Sequence, residues 1–321
     1  MSDRERIADL GPHPRVTYVV IAHNEAANIG RTLSSILVQD SAGGREIIVV
    51  DDGSTDDTAR VVTEVARSDP DVRLVRLAEN QGRGYARSRG VAEARGRYIA
   101  TVDADIVLPP DWFSRCLEEL ASADAVAGTA VPDGDVAYLH SRFRLEPKLV
   151  SHSTEVTGSN AVYRGEVFDR VSFDPSLRNG EDVAMNRSLR QQRARLLTVP
   201  GLTVRHEESK TFAVSLRWLY QSGRGATRQL YRDRELRRPD LAFAGWLLLT
   251  VGTAVTVRRR RSLSMMPLVY TGAVAVAHVS RAFVWKTGYG HRFVAACAVD
   301  TLLLSAYFSG RSVGLWSERP R

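Results

Sequence analysis

Acidic side chains are concentrated in three short motifs whose residue types and spacing could do chemistry. The motifs are Asp51-Asp52, Asp103-Ala104-Asp105 and Glu181-Asp182. Two carboxylates one residue apart at the end of a strand can together reach a hard divalent cation and a ribose hydroxyl. A cation held in this way neutralises charge on a departing diphosphate. A carboxylate at the start of a helix can instead take the proton from an attacking hydroxyl.

Each motif also has a purely structural interpretation. Asp51 and Asp52 precede a Gly-Ser-Thr sequence, a combination typical of a turn followed by a helix N-cap. An acid at the start of a helix, such as Asp182, commonly does no more than satisfy the helix dipole. His206 follows an apolar run and is either a structural histidine or a metal ligand. The residues alone leave these alternatives open.

Two similar patterns are set aside because of their context. Asp133-Gly134-Asp135 repeats the Asp-x-Asp spacing, but it lies in a Pro-Asp-Gly turn and is interpreted as solvated loop. The segment Asn80–Arg87 has the first two glycines of Gly-x-Gly-x-x-Gly, but Arg87 stands where the third is required. A dinucleotide-binding fingerprint also belongs directly after the first strand. A nicotinamide-dependent enzyme is therefore disfavoured.

Short apolar runs alternate with helical patterns in the first two thirds of the chain. The predicted strands are Val16–Ala22, Ile47–Val50, Val72–Leu77 and Tyr98–Val102. The predicted helices between them are Ile29–Val38, Thr58–Ala66 and Arg83–Ala94. This alternation predicts an α/β domain with a mostly parallel sheet and helices on both faces. Ligands of such sheets bind at the carboxyl ends of the strands, which is where the acidic motifs lie.

The motifs, taken together and in this order, resemble glycosyltransferase family 2, whose catalytic domain has the single-domain GT-A fold. The resemblance covers Arg15 to His206. For a nucleotide-sugar donor it implies contacts from Ala22, Asn24, Glu25, Asp52, Arg83 and Asp103. Asp52 would contact the base or the ribose.

The same resemblance implies the rest of the site. A divalent metal, Mg²⁺ or Mn²⁺, would be bound by Asp103, Asp105 and His206. The acceptor and the donor sugar would lie against Gly158, Ser159, Asn160 and Glu181. Asp182 would deprotonate the acceptor hydroxyl as it attacks the anomeric carbon in a single inverting displacement.

The formal net charge of +7 indicates an anionic partner, and the basic residues are dense between Lys210 and Arg238. This stretch is either a solvated basic face or a helix on an anionic membrane surface. No nucleic-acid-binding motif accompanies it, so we expect no nucleic-acid partner. From the resemblance, Arg224 is a candidate contact for the donor diphosphate.

Three apolar segments dominate the last part of the chain: Leu241–Val257, Met265–Trp285 and Phe293–Phe308. Only the middle segment reaches the ~20 residues that a bilayer requires. The alternative is a soluble helical subdomain, because His278, Arg281 and Asp300 lie within these segments. Tryptophans and tyrosines near the segment ends favour a membrane. Since four arginines follow the first segment, we expect it to be re-entrant and the other two to span.

These observations predict a charged tail at 1–14 without the apolar run of a signal peptide, a GT-A catalytic domain at 15–209, a basic amphipathic juxtamembrane helix at 210–240 and membrane-associated helices at 241–316. Two distant cysteines predict neither a disulfide nor a cysteine zinc site. The predicted function is transfer of a sugar to a polyprenyl-linked glycan at the cell membrane, with the catalytic domain in the cytoplasm, in surface polysaccharide assembly or protein glycosylation. The alternatives are a polyprenyl-phosphate sugar synthase and a non-catalytic sugar-nucleotide-binding scaffold.

Overall fold

The computed structural model describes residues 15–40, 43–133, 151–153, 155–207, 212–233, 238–256, 266–283 and 293–317. The chain divides into two compact units. The sheet unit comprises residues 1–133 and 147–208, and the helical unit comprises residues 134–146 and 209–321.

The sheet unit begins with alternating strands and helices. In chain order these are β1 (Val16–Ala22), α1 (Ile29–Leu37), β2 (Arg45–Asp51), α2 (Thr58–Ser68), β3 (Val72–Arg76), α3 (Arg83–Glu93) and β4 (Tyr98–Asp103). The elements that follow are β5 (Ile106–Val107), α4 (Trp112–Leu120), β6 (Ala125–Asp133), β7 (Ser151–Ser153), β8 (Asn160–Arg164), a 3₁₀ turn (Gly165–Asp169), α5 (Glu181–Gln191) and β9 (Leu196–Glu207).

Within the described residues the strands form one sheet in the order β3-β2-β1-β4-β8-β6-β9-β5, with β7 paired to β9. Strands β1 to β4 are parallel, as the sequence predicts. Of the remaining strands, β6 and β9 pair parallel with each other, whereas β8 runs antiparallel between β4 and β6, and β5 and β7 pair antiparallel with β9. The α/β class is confirmed, but the sheet is mixed.

Burial on both faces explains the uninterrupted apolar sequence of the central strands. Every residue of β1 is buried, and so is β2 from Glu46 onward. One face packs against Ile29, Leu33 and Ile36 of α1 and against the aromatic residues of α4. On the opposite face, α3 approaches so closely that a Cβ at Gly90 would overlap Val19 of β1. These helices hold the strand ends in fixed positions relative to one another.

The helical unit contains α6 (Phe212–Asp233), α7 (Arg238–Thr256), α8 (Met266–Phe283) and α9 (Phe293–Ser317). Helices α6 and α9 approach backbone to backbone, because a Cβ at Gly223 or Gly310 would overlap a carbonyl oxygen of the other helix. Asp240 and Arg311 form an ion pair buried inside the unit, and the Arg311 guanidinium lies 4.9 Å from the centre of the Phe243 ring.

Across the described ranges of the chain, none of the helices combines the length and the apolar character that crossing a membrane requires. The three apolar segments of the sequence coincide with α7, α8 and α9. The expectation of two spans therefore stays a prediction. The tail at 1–14, Lys210 and the arginines at 258–261 lie outside the described residues.

Candidate active site

The carboxyl ends of three neighbouring strands bring the predicted motifs to one edge of the sheet. In the β1–β2 register Ala22 lies beside Asp51, and in the β1–β4 register Ile21 lies beside Asp103. The loops after β1, β2 and β4 therefore start next to one another. This arrangement follows from parallel pairing, since parallel strands end at the same edge.

The loop after β1 is fastened to the loop after β2. Asn24 adopts a left-handed conformation with φ 58°. Its N–H donates to Ser54 Oγ at 2.9 Å, and its Oδ1 accepts the Thr55 N–H at 2.8 Å. The Glu25 N–H donates to Thr58 Oγ1 at 2.8 Å. Asn24 and Glu25, both predicted donor contacts, thus lie where these two loops are hydrogen-bonded to each other.

Asp52 is buried and holds the loop that leads into α3. Its Oδ1 accepts the Gln81 N–H at 2.7 Å, and its Oδ2 accepts the Gly82 N–H at 2.9 Å. Gly82 has φ 95°, a conformation that favours glycine, and Arg83 starts the helix directly after it. Both oxygens of the predicted nucleotide contact thus already have partners within the protein. Arg83 itself is half-buried.

Asp105 and His206 come together although they are far apart in the sequence. Strand β5 pairs with β9 so that Ile106 lies opposite His206. As a result His206 Nε2 lies 2.9 Å from Asp105 Oδ2, and both side chains are largely buried. The side chain of the first aspartate of the motif, Asp103, contacts the guanidinium of Arg87 instead.

The geometry of Asp105 and His206 suits two neighbouring ligands of one divalent ion. Octahedral ligands at about 2.1 Å from Mg²⁺ lie about 3.0 Å apart when adjacent. The observed 2.9 Å between Oδ2 and Nε2 is the length of an ordinary hydrogen bond and is also compatible with that spacing. In the described part of the chain, no three acidic, histidine or cysteine side chains are grouped to hold a metal by themselves. The two residues fit an ion that takes further ligands from a bound diphosphate.

The charge environment keeps Asp103 ionised. Burial raises the pKa of its carboxyl, but the guanidinium groups of Arg87 and Arg83 and the imidazole of His206 outweigh the effect of burial. The pKa of Asp103 therefore lies below its ordinary value. An anionic Asp103 is the form that can act on a cation or accept a hydrogen bond from a hydroxyl.

Arg87 lies within this cluster, although the sequence suggests only that it interrupts a glycine pattern. Its guanidinium is buried and forms ion pairs with both Asp103 and Glu181. A signal was present in the sequence. Arg87 shares the buried face of α3 with Gly84, Ala86 and Gly90, and a charged side chain on such a small-residue face requires buried acidic partners.

The predicted pocket residues adjoin the end of β4, and the predicted base lies at the start of α5. The Asp103 N–H donates to the Ser159 carbonyl at 3.1 Å, so the Gly158–Asn160 segment adjoins the metal motif. Gly180, with φ 75°, precedes α5, and Glu181 is buried as the first residue of that helix. The next residue, Asp182, is only partly buried, and its Oδ1 accepts the N–H of Val183 at 2.8 Å.

Two other sequence features belong to other elements of the structure. Arg224 belongs to α6 of the helical unit, where its Nη2 donates to Ser317 Oγ at 3.2 Å. The second Asp-x-Asp motif begins at Asp133, the end of β6, and its other two residues lie outside the described part of the chain.

Comparison with known proteins identifies the domain. Residues 17–171 match the family described as Glycosyl transferase family 2. The succinoglycan biosynthesis protein ExoO of Rhizobium meliloti is 36% identical over 191 residues, which cover 53% of each chain. An undecaprenyl-phosphate 4-deoxy-4-formamido-L-arabinose transferase of Klebsiella pneumoniae is 31% identical over 184 residues, 52% of this chain and 56% of the relative. This chain thus spans about half the length of these curated relatives.

The fold comparison agrees. A mannosyltransferase from Pyrobaculum calidifontis, solved in complex with GDP-Man and Mn²⁺, superposes with a TM-score of 0.59 at 21% identity, covering 98% of this chain and 93% of that one. At that identity the likeness shows the GT-A fold. The family match over residues 17–171 and the similarity to these relatives show that the chain contains a glycosyltransferase family 2 domain.

Proposed function

We propose that this protein is an inverting, metal-dependent glycosyltransferase that moves a sugar from a nucleotide-sugar donor to a hydroxyl acceptor. The observation that carries the proposal is the contact between Asp105 and His206, which would offer two metal ligands next to the end of β4. Arg87 links that strand end to the start of α5, where Asp182 lies next to Glu181. A metal-binding pair and a carboxylate base on one sheet edge are the parts that this reaction needs.

In the proposed reaction each side chain has one task. Asp105 and His206 would hold the divalent ion, which when bound neutralises charge on the departing nucleoside diphosphate, and Asp103, whose side chain contacts Arg87, would contact the donor. Asp182 accepts the proton of the acceptor hydroxyl. The acceptor oxygen forms a bond to the anomeric carbon as the bond from that carbon to the diphosphate breaks, and the configuration inverts. The loops after β1 and β2 bind the nucleotide, and alignment of the two substrates supplies much of the acceleration.

Membrane attachment and a lipid-linked acceptor are supported by the surface of the helical unit. Large apolar side chains are exposed on its helices, and several of them are three or seven residues apart, a spacing that places them on one helix face. On α7 to α9 the exposed residues are Leu241, Leu248, Val251, Met266, Leu268, Val269, Val276, Leu302, Val313 and Trp316. Exposed apolar surface of this extent is typical of a membrane or partner site. We place the protein at the cytoplasmic face of the cell membrane, and the contact of Arg224 with the donor diphosphate stays a prediction.

The acceptor is proposed to be a polyprenyl-linked glycan in surface polysaccharide assembly or protein glycosylation. Similarity to an undecaprenyl-phosphate sugar transferase favours one second candidate, transfer directly to a polyprenyl phosphate. Assays that offer each acceptor with the same donor distinguish them, because only the second candidate yields a monophosphodiester-linked sugar.

Donor binding is the first test of the proposed activity. The thermal midpoint of detergent-solubilised full chain is measured with UDP-, GDP- and dTDP-sugars, with and without Mn²⁺. We expect one donor to raise the midpoint only when metal is present, because a ligand of the native state stabilises it by mass action. Asp105→Asn should abolish that shift. Asp111→Asn, at a side chain that is 59% exposed, is the matched control and should keep it.

Turnover tests the assignment of the base. Asp182→Asn should retain the donor-induced thermal shift but lose about 10²- to 10⁴-fold in kcat, the usual contribution of general base catalysis. Full turnover by that variant would refute the role of Asp182. A folded wild-type protein that binds none of the donors would refute the proposed activity, whereas one that binds a donor without turning it over would favour the sugar-nucleotide-binding scaffold.

A further inference from the structure

The guanidinium of Arg87 is enclosed between two motifs of the proposed site. Its side chain is 2% exposed, and that of its partner Glu181 is 1% exposed. Nη2 contacts Asp103 Oδ1, and Nη1 contacts Glu181 Oε1. A charge removed from water to this extent persists only when opposite charges compensate it. One cation therefore holds two carboxylates that come from different parts of the chain.

The two carboxylates belong to opposite sides of the proposed reaction. Asp103 ends β4 on the side of the metal and the donor, whereas Glu181 starts α5 directly before the proposed base Asp182. We propose that Arg87 is a positioning residue that sets the distance between the metal-and-donor side and the base side of the site. This inference rests on the proposed glycosyltransferase function.

The surroundings of Arg87 prevent it from moving independently. Its Cζ lies 5.9 Å from the centre of the Phe173 ring, and a Cβ at Gly158 would lie 3.0 Å from that Cζ. At the start of α3, a Cβ at Gly84 would overlap the carbonyl oxygens of Asp174 and Leu177. Helix α3 is thus packed against the segment that leads into α5, and Arg87 connects both to β4.

Substitution by lysine separates charge from geometry. Lysine keeps the positive charge, but its single ammonium group cannot place two nitrogens in one plane against two carboxylates. Arg87→Lys should therefore leave the fold intact but misplace Asp103 and Asp182 relative to each other. A displacement of about 1 Å at a reacting centre costs about 100-fold in rate. If the substitution only removed the positive charge that compensates Asp103, the KM for the donor would rise instead.

The experiment compares Arg87→Lys and Arg87→Gln with the same substitutions at Arg89, two residues along the same helix. Arg89 is 46% exposed and pairs with Glu93 at 2.6 Å, so its variants are matched controls. Metal-dependent donor binding by the wild type is established first. We then expect Arg87→Lys to lose about 100-fold in kcat at saturating substrates while it remains folded at the assay temperature with a lowered thermal midpoint. The thermal midpoints of the Arg89 variants should stay near the wild-type value.

The outcomes distinguish the two proposals. A wild-type protein that neither binds nor turns over a donor refutes the function itself. If the wild type is active and Arg87→Lys retains its kcat and donor KM, while Arg87→Gln loses only stability, Arg87 is structural and the inference is overturned. If neither Arg87 variant folds, Glu181→Gln decides the question, because it weakens only the contact of Arg87 on the base side. A fall in kcat with an unchanged donor KM supports the inference. Kinetics equal to those of the wild type overturn it.

Discussion

Asp52 allows the strongest test of how the donor side of the site is built. Its two oxygens accept the N–H groups of Gln81 and Gly82 at 2.7 and 2.9 Å, and the side chain is buried. Gly53, with φ 65°, lies against this loop so closely that an added Cβ would be 2.6 Å from the Asn80 nitrogen. Asp52→Asn keeps the shape of the side chain but replaces one acceptor oxygen with an NH₂ donor.

The magnitude follows from those two hydrogen bonds. Hydrogen bonds to a charged group contribute about 1.5–3 kcal/mol each, and leaving a buried donor without a partner costs about 1–3 kcal/mol. Asparagine can satisfy one of the two N–H groups and places a donor against the other. We therefore expect Asp52→Asn to lower the free energy of unfolding by about 2–3 kcal/mol. In a unit of this size that lowers the thermal midpoint by about 4–12 °C.

The assay is thermal and urea unfolding of Asp52→Asn beside Asp57→Asn, whose side chain is 67% exposed and pairs only loosely with Arg60 at 3.2 Å. The control should unfold within about 0.5 kcal/mol of the wild type, as surface substitutions do. Donor affinity should also fall in Asp52→Asn, since the loop that Asp52 holds leads into Arg83. A midpoint equal to that of the control would refute the structural role derived for Asp52, whatever happened to donor binding.

Two further predictions concern the scaffold of the site. Burial raises the pKa of Glu46, but its contacts with Thr17 and Arg95 hold it below the ordinary value of 4.5. Glu46 therefore stabilises the fold above pH 4.5, and this contribution is lost as the pH falls through the lowered pKa. Glu46→Gln should lower the free energy of unfolding by about 1–3 kcal/mol at pH 7. The variant should also lose less stability than the wild type as the pH falls below 4.5, which urea unfolding at a series of pH values measures. An unchanged pH profile would contradict the role assigned to Glu46. Gly84→Ala should cost about 1–3 kcal/mol or more and reduce donor binding, because its Cβ meets backbone oxygens that cannot move aside. Gly30→Ala, also at the second position of a helix but with its nearest neighbour at 3.6 Å, is the control and should be neutral or stabilising in the same unfolding assay.

The local structure of the catalytic region could be predicted from sequence because the cause of each element is local. The apolar runs at β1, β2 and β4 form strands buried on both faces, and the period of α1 places Ile29, Leu33 and Ile36 in the core. The carboxyl ends of these strands carry the acidic motifs. Parallel pairing alone then brings Ala22, Asp51 and Asp103 together.

The second half of the sheet could not be predicted in the same way. Strand β8 is five residues long and enters between β4 and β6 in the antiparallel direction, which no local pattern encodes. Its position depends on pairing with β4 and β6, which lie far from it in the sequence. Strand β9, which carries His206, pairs with three strands, β5, β6 and β7, and these lie far from it in the sequence.

The sequence by itself determined the fold class, the order of the motifs and the chemical types of the site residues, because these depend on composition and on neighbours along the chain. Only the tertiary structure decided which of those residues meet. It brought His206 to Asp105 across 101 positions, gave both oxygens of Asp52 to a backbone loop, and placed Arg87 between Asp103 and Glu181. The physical reason is that a buried charge or polar group takes whichever partner the packed elements present, and packing joins residues without regard to their separation in sequence.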